Sequence, residues 1–523
     1  IYAAKQLNGP ALQEVEEGYA DVIIEPHGLQ VIETFLYPQA DYSKSEAIQT
    51  EIRYMQQIVQ NLLQEPDAVY KFSNQKVFEA VRQEVFRITA LGITGYDTPL
   101  SSLGIADAAA SLQGIYDLLL LYTREIPVKE KPLLLSLFNE IRSGIGYLKK
   151  NPDFKNFNRL YFIINHLSKI SSVVSELRAH CGFIPSGVKV LVNPEAKTLF
   201  EEGAFNPMFF SPSNPNYQPN AERIALGKKL FYSNLLSSTR QRSCAGCHKP
   251  ELAFTDGLAT ALPLHESENI SLRNTPTLYN TVFQTKQFYD LRSSTVELQI
   301  KNVVHNRAEM NSSLYDIAEE LKKDSDYSSL FASAYSKLKE PLTDYTIANA
   351  IAAYVKSLIS LSSPFDKYIR GETKSLSADA RAGFNLFAGK AKCATCHFIP
   401  LFNGMIPPEF SKTEAEVLGV PATPENKIVD DDEGRAGFTR IPLHRFAFKT
   451  PTLRNIALTA PYMHNGIYKT LDEVIEFYDK GGGQGLGLSV PNQTLPPEKL
   501  NLTIKEKKRL KVFLQSLTDT SAR

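Results

Sequence analysis

Two pentapeptides, Cys244-Ala245-Gly246-Cys247-His248 and Cys393-Ala394-Thr395-Cys396-His397, constrain this chain more than any other feature. Each is a C-x-x-C-H sequence, the attachment signature of a c-type haem: two thiols bind the porphyrin vinyls and the next His supplies the proximal ligand to iron. They lie 149 residues apart and use four of the five cysteines. A zinc site needs four ligands, and a Cys pair with a His directly behind it completes a tetrahedron poorly. A redox dithiol would not need the following His twice. The spacing predicts two covalent haems c and a redox protein.

The rest of the composition narrows the class. Lysine plus arginine equals aspartate plus glutamate at 57 each, so charge supports neither nucleic acid nor an anionic membrane surface as a partner. The apolar runs are read as falling short of the roughly 18 residues that cross a bilayer, so no transmembrane segment is expected. The chain starts at Ile1 without a signal peptide. Haem c is attached outside the bacterial cytoplasm, so the expectation is an exported, periplasmic protein whose signal has been removed. Cys181, before Gly182 at a predicted helix end, reads as a small buried residue.

Periodicity predicts an all-α protein. Ile48, Ile52, Met55, Val59 and Leu62 form an amphipathic stripe over 45–64, with Ser43-x-x-Glu46 as a capping box. Val77, Val81, Val85 and Ile88 repeat the pattern up to Gly92, and Leu160, Ile163, Leu167, Ile170, Val174 and Leu177 up to Gly182. This gives an N-terminal helical bundle over 1–183. Prolines 207, 212, 215 and 219 mark a linker or wrapping loop.

An internal repeat follows. Gly227-x-x-Leu230-Phe231 precedes the first haem motif and Gly383-x-x-Leu386-Phe387 the second; Thr275-Pro276-Thr277-Leu278 and Thr450-Pro451-Thr452-Leu453 follow them. Thr295 stands 19 residues after Pro276, and Thr470 19 after Pro451. The expected layout is two cytochrome c-like domains, 184–370 and 371–523. Tyr478 lies 27 residues after Pro451, and the position 27 after Pro276 is Val303. Valine cannot ligate iron, so a haem closed by Tyr478 in the second copy is left open in the first. Met463 competes with Tyr478 as that sixth ligand. Gln299 and Glu309 flank Val303, where a carboxylate can move a proton between the oxygens of a peroxide and an amide can orient it.

Residues 222–517 resemble the bacterial di-haem cytochrome c peroxidase family, which includes the MauG-type enzymes. The matching stretches are Leu226–Phe231, Ser243–His248, Phe254–Gly257, Arg273–Thr277, Glu309-Met310 and Lys449–Gly466. The resemblance implies a peroxidatic first haem with His248 proximal and Gln299 and Glu309 distal. It implies an electron-transfer second haem, with His397 proximal and Tyr478 rather than Met463 as sixth ligand. It also implies a calcium ion between the haems, held by Asn274, Thr459 and Pro461. Tyr289 stands where the family has its inter-haem Trp, and Val303 where a proline is common. His265 is one residue off the spacing of the His that caps the resting first haem; a surface-loop His is the alternative. Gly28–Glu33 faintly resembles the G-x-H-x-I-E stretch of imelysin-like domains, with Gln30 in place of His. The implied activity is reduction of hydrogen peroxide with electrons from a small donor protein, a cytochrome c or cupredoxin, in a monomer or homodimer. The rivals are MauG-like oxidation of a partner protein and a non-catalytic electron carrier or sensor.

Overall fold

The computed structural model describes residues 4–15, 23–64, 73–184, 190–265 and 273–522. Helices dominate, and the strands among the described residues form two short antiparallel pairs, Glu14–Val15 with Ile23–Ile24 and Ala415–Val417 with Ala447–Lys449. The chain divides into two compact units. The first is Ile1–Ala204 with Phe384–Pro400 and Pro407–Glu409; the second is Phe205–Gly383, Leu401–Ile406 and Phe410–Arg523. The first unit thus runs past 183 and takes up the segment with the second haem motif.

In the first unit the helices are α1 (Ser45–Gln64), α2 (Asn74–Arg87), α3 (Gly104–Leu121), α4 (Lys131–Lys150) and α5 (Ser168–His180). Asp41, not Ser43, caps the entry to α1: its carboxylate accepts from the Ser43 amide at 3.0 Å and hydroxyl at 2.6 Å. Aspartate is the stronger acceptor and sits one turn earlier. None of the α1 side chains is buried. The helical path of α2 continues through a π-turn at Ile88–Gly92, and that of α5 is preceded by one at Ile163–Leu167. Among the described residues one helix, Gly104–Arg124, is long and apolar enough to cross a membrane by length and composition. Its Ile105, Ala108, Leu112, Ile115 and Leu119 are buried along one face, the three-and-four spacing of a helix packed on a neighbour.

Gln30 and Glu33 are buried as well. Gln30 donates to the Tyr96 carbonyl at 3.1 Å, and Glu33 accepts from the Ser101 amide at 2.8 Å. The faint imelysin-like stretch is therefore engaged in tying one loop of the bundle to another.

The second unit contains α6 (Ala221–Phe231), α7 (Val296–His305), α8 (Asp344–Lys356), α10 (Leu471–Asp479) and α11 (Ile504–Ser516); α9 (Ala378–Phe387) enters it as far as Gly383. The repeat is visible in its packing. A Cβ on Gly227 of α6 would lie 1.8 Å from the Ala350 carbonyl of α8 and 3.1 Å from the Tyr354 Cβ. A Cβ on Gly383 of α9 would lie 2.1 Å from the Arg509 carbonyl of α11 and 2.7 Å from the Phe513 Cβ. Only glycine lets two helix backbones approach so closely. The partners are capped alike, Thr343 and Thr503 each closing a capping box. A continuous core from Leu226 to Val355 fills the first copy, with Leu230, Phe331 and Ile347 at 0% exposure; each contributes about 1.5–3 kcal/mol by leaving water.

The loops after the two Thr-Pro-Thr-Leu sequences also match residue for residue. Asn280 and Asn455 sit at φ 61° and 62°, Phe288 and Met463 at 65° and 74°. The bridges Gln287–Ser293 and Tyr462–Tyr468 occupy the same offsets. The loops exchange main-chain hydrogen bonds reciprocally. Asn274 N–H donates to the His464 carbonyl and Lys449 N–H to that of Tyr289, both at 2.7 Å. Asn274 and Lys449 are repeat counterparts, as are Tyr289 and His464, so the exchange has local two-fold character.

Candidate functional site

The first motif is a single helical turn, Cys244–Cys247, with the His248 amide donating to the Cys244 carbonyl at 2.8 Å. A spacing of three puts both thiols on one side of the turn. The chain then passes through Ala253 and Phe254 at φ 54° and 61°. This left-handed pair brings the Phe254 carbonyl back to His248 Nδ1, at 2.9 Å. A carbonyl can only accept, so Nδ1 carries the proton and Nε2 keeps its lone pair. Burial lowers the His248 pKa further from its ordinary value. It also pushes the Cys244 thiol up to about 12. Two thiols one turn apart and an imidazole oriented through Nδ1 fit covalent haem with Nε2 as its proximal ligand.

Above this motif, α7 starts at its cap Thr295 and places Gln299 and Val303 one turn apart on one face. It ends at Asn306, whose carbonyl accepts from the amides of Glu309, Met310 and Asn311 at 3.0, 3.1 and 2.9 Å. The Asn306 side chain donates to Glu309 Oε1 at 2.8 Å. Burial raises the Glu309 pKa from its ordinary value, opposed by this hydrogen bond and by Arg292 and Arg242. The Glu309 charge acts on both Cys244 and Cys247, so the structure brings the carboxylate to the first motif. Arg242, two residues before Cys244, locks the arrangement by donating to the carbonyls of Leu262 at 3.0 Å, Pro263 at 2.9 Å and Glu309 at 3.4 Å.

Gln299 and Tyr289 line a cavity of about 500 Å³, open solvent included, with Pro276, Thr277, Pro451 and Lys449. Glu309 is not among its lining residues. Burial raises the Tyr289 phenol, which donates to Asn274 Oδ1 at 3.4 Å. Thr459 and Pro461 lie five and three residues before His464, the carbonyl partner of Asn274. The loop that carries them is therefore joined to Asn274. Neutral amide and carbonyl oxygens are donors suited to calcium.

The second motif belongs to the first compact unit. Cys393–Thr395 forms a 3₁₀ turn, the His397 amide donates to the Cys393 carbonyl at 3.0 Å, and His397 is buried. Burial pushes the Cys393 thiol up to about 12. Tyr478 belongs to the second unit, half-buried in the last turn of α10. It stands eight residues after its helix cap Thr470, as Val303 stands eight after Thr295. Met463 is half-buried in a left-handed loop position, the counterpart of Phe288. His265 is exposed, next to Leu264, whose amide donates to the Ala308 carbonyl at 2.7 Å.

Three residues of this site escaped the sequence reading. Asn306 holds Glu309, and Arg242 ties the haem turn to the Glu309 turn. Lys449 reaches Gln284 Oε1 at 2.6 Å, its pKa lowered by burial to about 8. Only Lys449 carried a legible signal, as the repeat counterpart of Asn274.

A sequence model of the family described as di-haem cytochrome c peroxidase matches residues 221–374. The methylamine utilization protein MauG of Methylorubrum extorquens is 32% identical over 315 residues, 59% of this chain and 81% of that protein. The cytochrome c551 peroxidase of Pseudomonas aeruginosa is 32% identical over 251 residues, 48% of this chain and 69% of that protein. Among solved structures, a MauG-like protein associated with microbial copper homeostasis superposes with a TM-score of 0.51 at 29% identity, covering 60% of this chain and 93% of that one.

Proposed function

Since the chain belongs to the di-haem cytochrome c peroxidase family, in which MauG also falls, we propose that it reduces hydrogen peroxide to water at its first haem site. Electrons enter through the second haem. The observation that carries this reading is the pair Val303 and Tyr478, equal in place on equivalent helices and opposite in ability to bind iron. Cys244, Cys247 and His248 hold the first haem; Cys393, Cys396 and His397 hold the second, closed by Tyr478. A c-type haem with one protein ligand supplies an iron on which peroxide can be bound and reduced.

The residues around it manage position and protons. His248 is fixed through Nδ1, Gln299 orients the peroxide, and Val303 leaves room for it. Glu309 takes the proton from the near oxygen and returns it to the departing one. One peroxide, two protons and two electrons give two waters. Asn274, Thr459 and Pro461 hold a calcium ion, and Tyr289 lies on the path between the haems. The layout is a bundle over 1–183, a first cytochrome domain over 184–370 and a second over 371–523. The donor is a small cytochrome c or cupredoxin, the compartment the periplasm, and a homodimer fits the scheme. The exposure of His265 favours a surface-loop residue over a resting ligand of the first haem.

A second reading rests on Tyr478: a tyrosine at this place suits MauG-like, peroxide-dependent oxidation of a partner protein. Mixing the di-haem protein with peroxide, with and without a reduced donor, separates the two. Rapid donor oxidation is expected. A long-lived oxidised state that ignores small donors favours the second reading, and no optical or EPR response from either redox form overturns both.

A further inference from the structure

The N-terminal bundle has no part in the reaction above, yet it forms one compact unit with residues 384–400, the segment that carries the second haem motif. Arg159 is 0% exposed. Main-chain carbonyls hold its guanidinium: Nε donates to Ile93 at 2.7 Å, Nη1 to Phe157 at 3.2 Å and Nη2 to Phe154 at 2.8 Å. Gly389 packs on this group so closely that a Cβ there would lie 2.4 Å from Nη1. Nearby, Asn385 accepts from the Leu160 amide at 2.9 Å and donates to Asn158 at 3.0 Å. Lys392, next to Cys393, donates to the Pro99 carbonyl at 3.0 Å. Phe398, next to His397, meets Tyr96 edge-on at 5.4 Å.

The two repeats explain why such a grip is needed. In the first, 13 residues separate Phe231 from Cys244, enough for a 3₁₀ turn at Asn234–Leu236 that buries Leu236 in its own core. In the second, only 6 separate Phe387 from Cys393, too few to build that support. A buried cation held by carbonyls is costly and is tolerated where it specifies one arrangement.

We propose that the N-terminal bundle is the seat of the second haem, in which Arg159, Asn158, Pro99 and Tyr96 replace the missing lead-in and set the orientation of His397. Arg159 and Tyr96 are then positioning residues acting through the attachment segment. The proposal rests on the two-haem reading, and haem-resolved spectroscopy on the full chain tests both. Tyr96→Leu and Asn385→Ala remove a contact without stranding a buried charge; Arg159→Met is the stronger variant.

In each variant the second haem's EPR and optical signals are expected to shift and its reduction by dithionite to slow roughly tenfold. The first haem's signals should stay as in the wild type. Unchanged spectra and reduction rates of both haems in all three folded variants overturn the proposal, as does an equal change in both. A wild-type chain with covalent haem at Cys244 and Cys247 alone overturns this proposal and the two-haem reading together.

Discussion

The two Thr-Pro-Thr-Leu loops of the second compact unit share a backbone and differ in side chains. Asn280 and Asn455 take the same left-handed turn, and helices capped by Thr295 and Thr470 follow at the same distance. On this common frame Val303 faces Tyr478 as its counterpart, Asn274 faces Lys449, and Tyr289 faces His464. Duplication supplies a haem-binding scaffold twice. A few substitutions at equivalent places then divide the labour: one copy leaves iron open to substrate, the other fills the place with a ligand.

The sharpest way to break that comparison is to exchange the distinguishing pair. Val303→Tyr should close the first haem and bring peroxide consumption close to background while both haems remain attached. Tyr478→Val should open the second haem, read as a change in its EPR signal on adding a small exogenous ligand such as cyanide. If Val303→Tyr still turns over peroxide normally, the two last-turn positions do not govern access.

Next in size is Glu309→Gln, expected to lower peroxide reduction by about 10²–10⁴-fold. Burial raises the Glu309 pKa above its ordinary 4.5, so the carboxylate that accepts the proton is lost earlier on acidification. Activity should therefore fall as pH drops through a value above 4.5. The Gln variant should lack this acid limb. Asn306→Ala, which removes the donor that holds Glu309, should cost roughly 10–100-fold, with the acid limb moved upward because a hydrogen bond to the charged form is gone. The smallest effects concern the frame. Gly227→Ala and Gly383→Ala force helix backbones apart and should each cost about 1–3 kcal/mol in denaturant unfolding. Losses of similar size in both would sharpen the equivalence of the two crossings.

Much of the site was legible because its chemistry is local in sequence. A C-x-x-C-H stretch brings its own ligands together within one turn, and the offsets from each Thr-Pro-Thr-Leu sequence survived duplication. The helical stripes before Gly92 and Gly182 were legible for the same reason, since three-and-four spacing is a property of a single segment. The hold on Glu309 was not. Asn306 and Arg242 matter through where a helix ends and which carbonyls then converge, and neither leaves a periodic mark. Ser43 misled because Asp41, two residues earlier, competes for the same cap.

By itself, then, the amino-acid order determined the cofactor type, the duplicated frame and the asymmetry between Val303 and Tyr478. Each of these depends on residues at short or repeated spacing. The tertiary structure alone decided that the Thr-Pro-Thr-Leu loops trade hydrogen bonds through Asn274 and Lys449. It alone decided that residues 384–400 fold with the bundle rather than with the helices that follow them. The contact of Arg159 with Gly389 joins segments 230 residues apart. Such a pairing is chosen by packing and by where a buried guanidinium can find carbonyls, a condition that no local pattern of residues encodes.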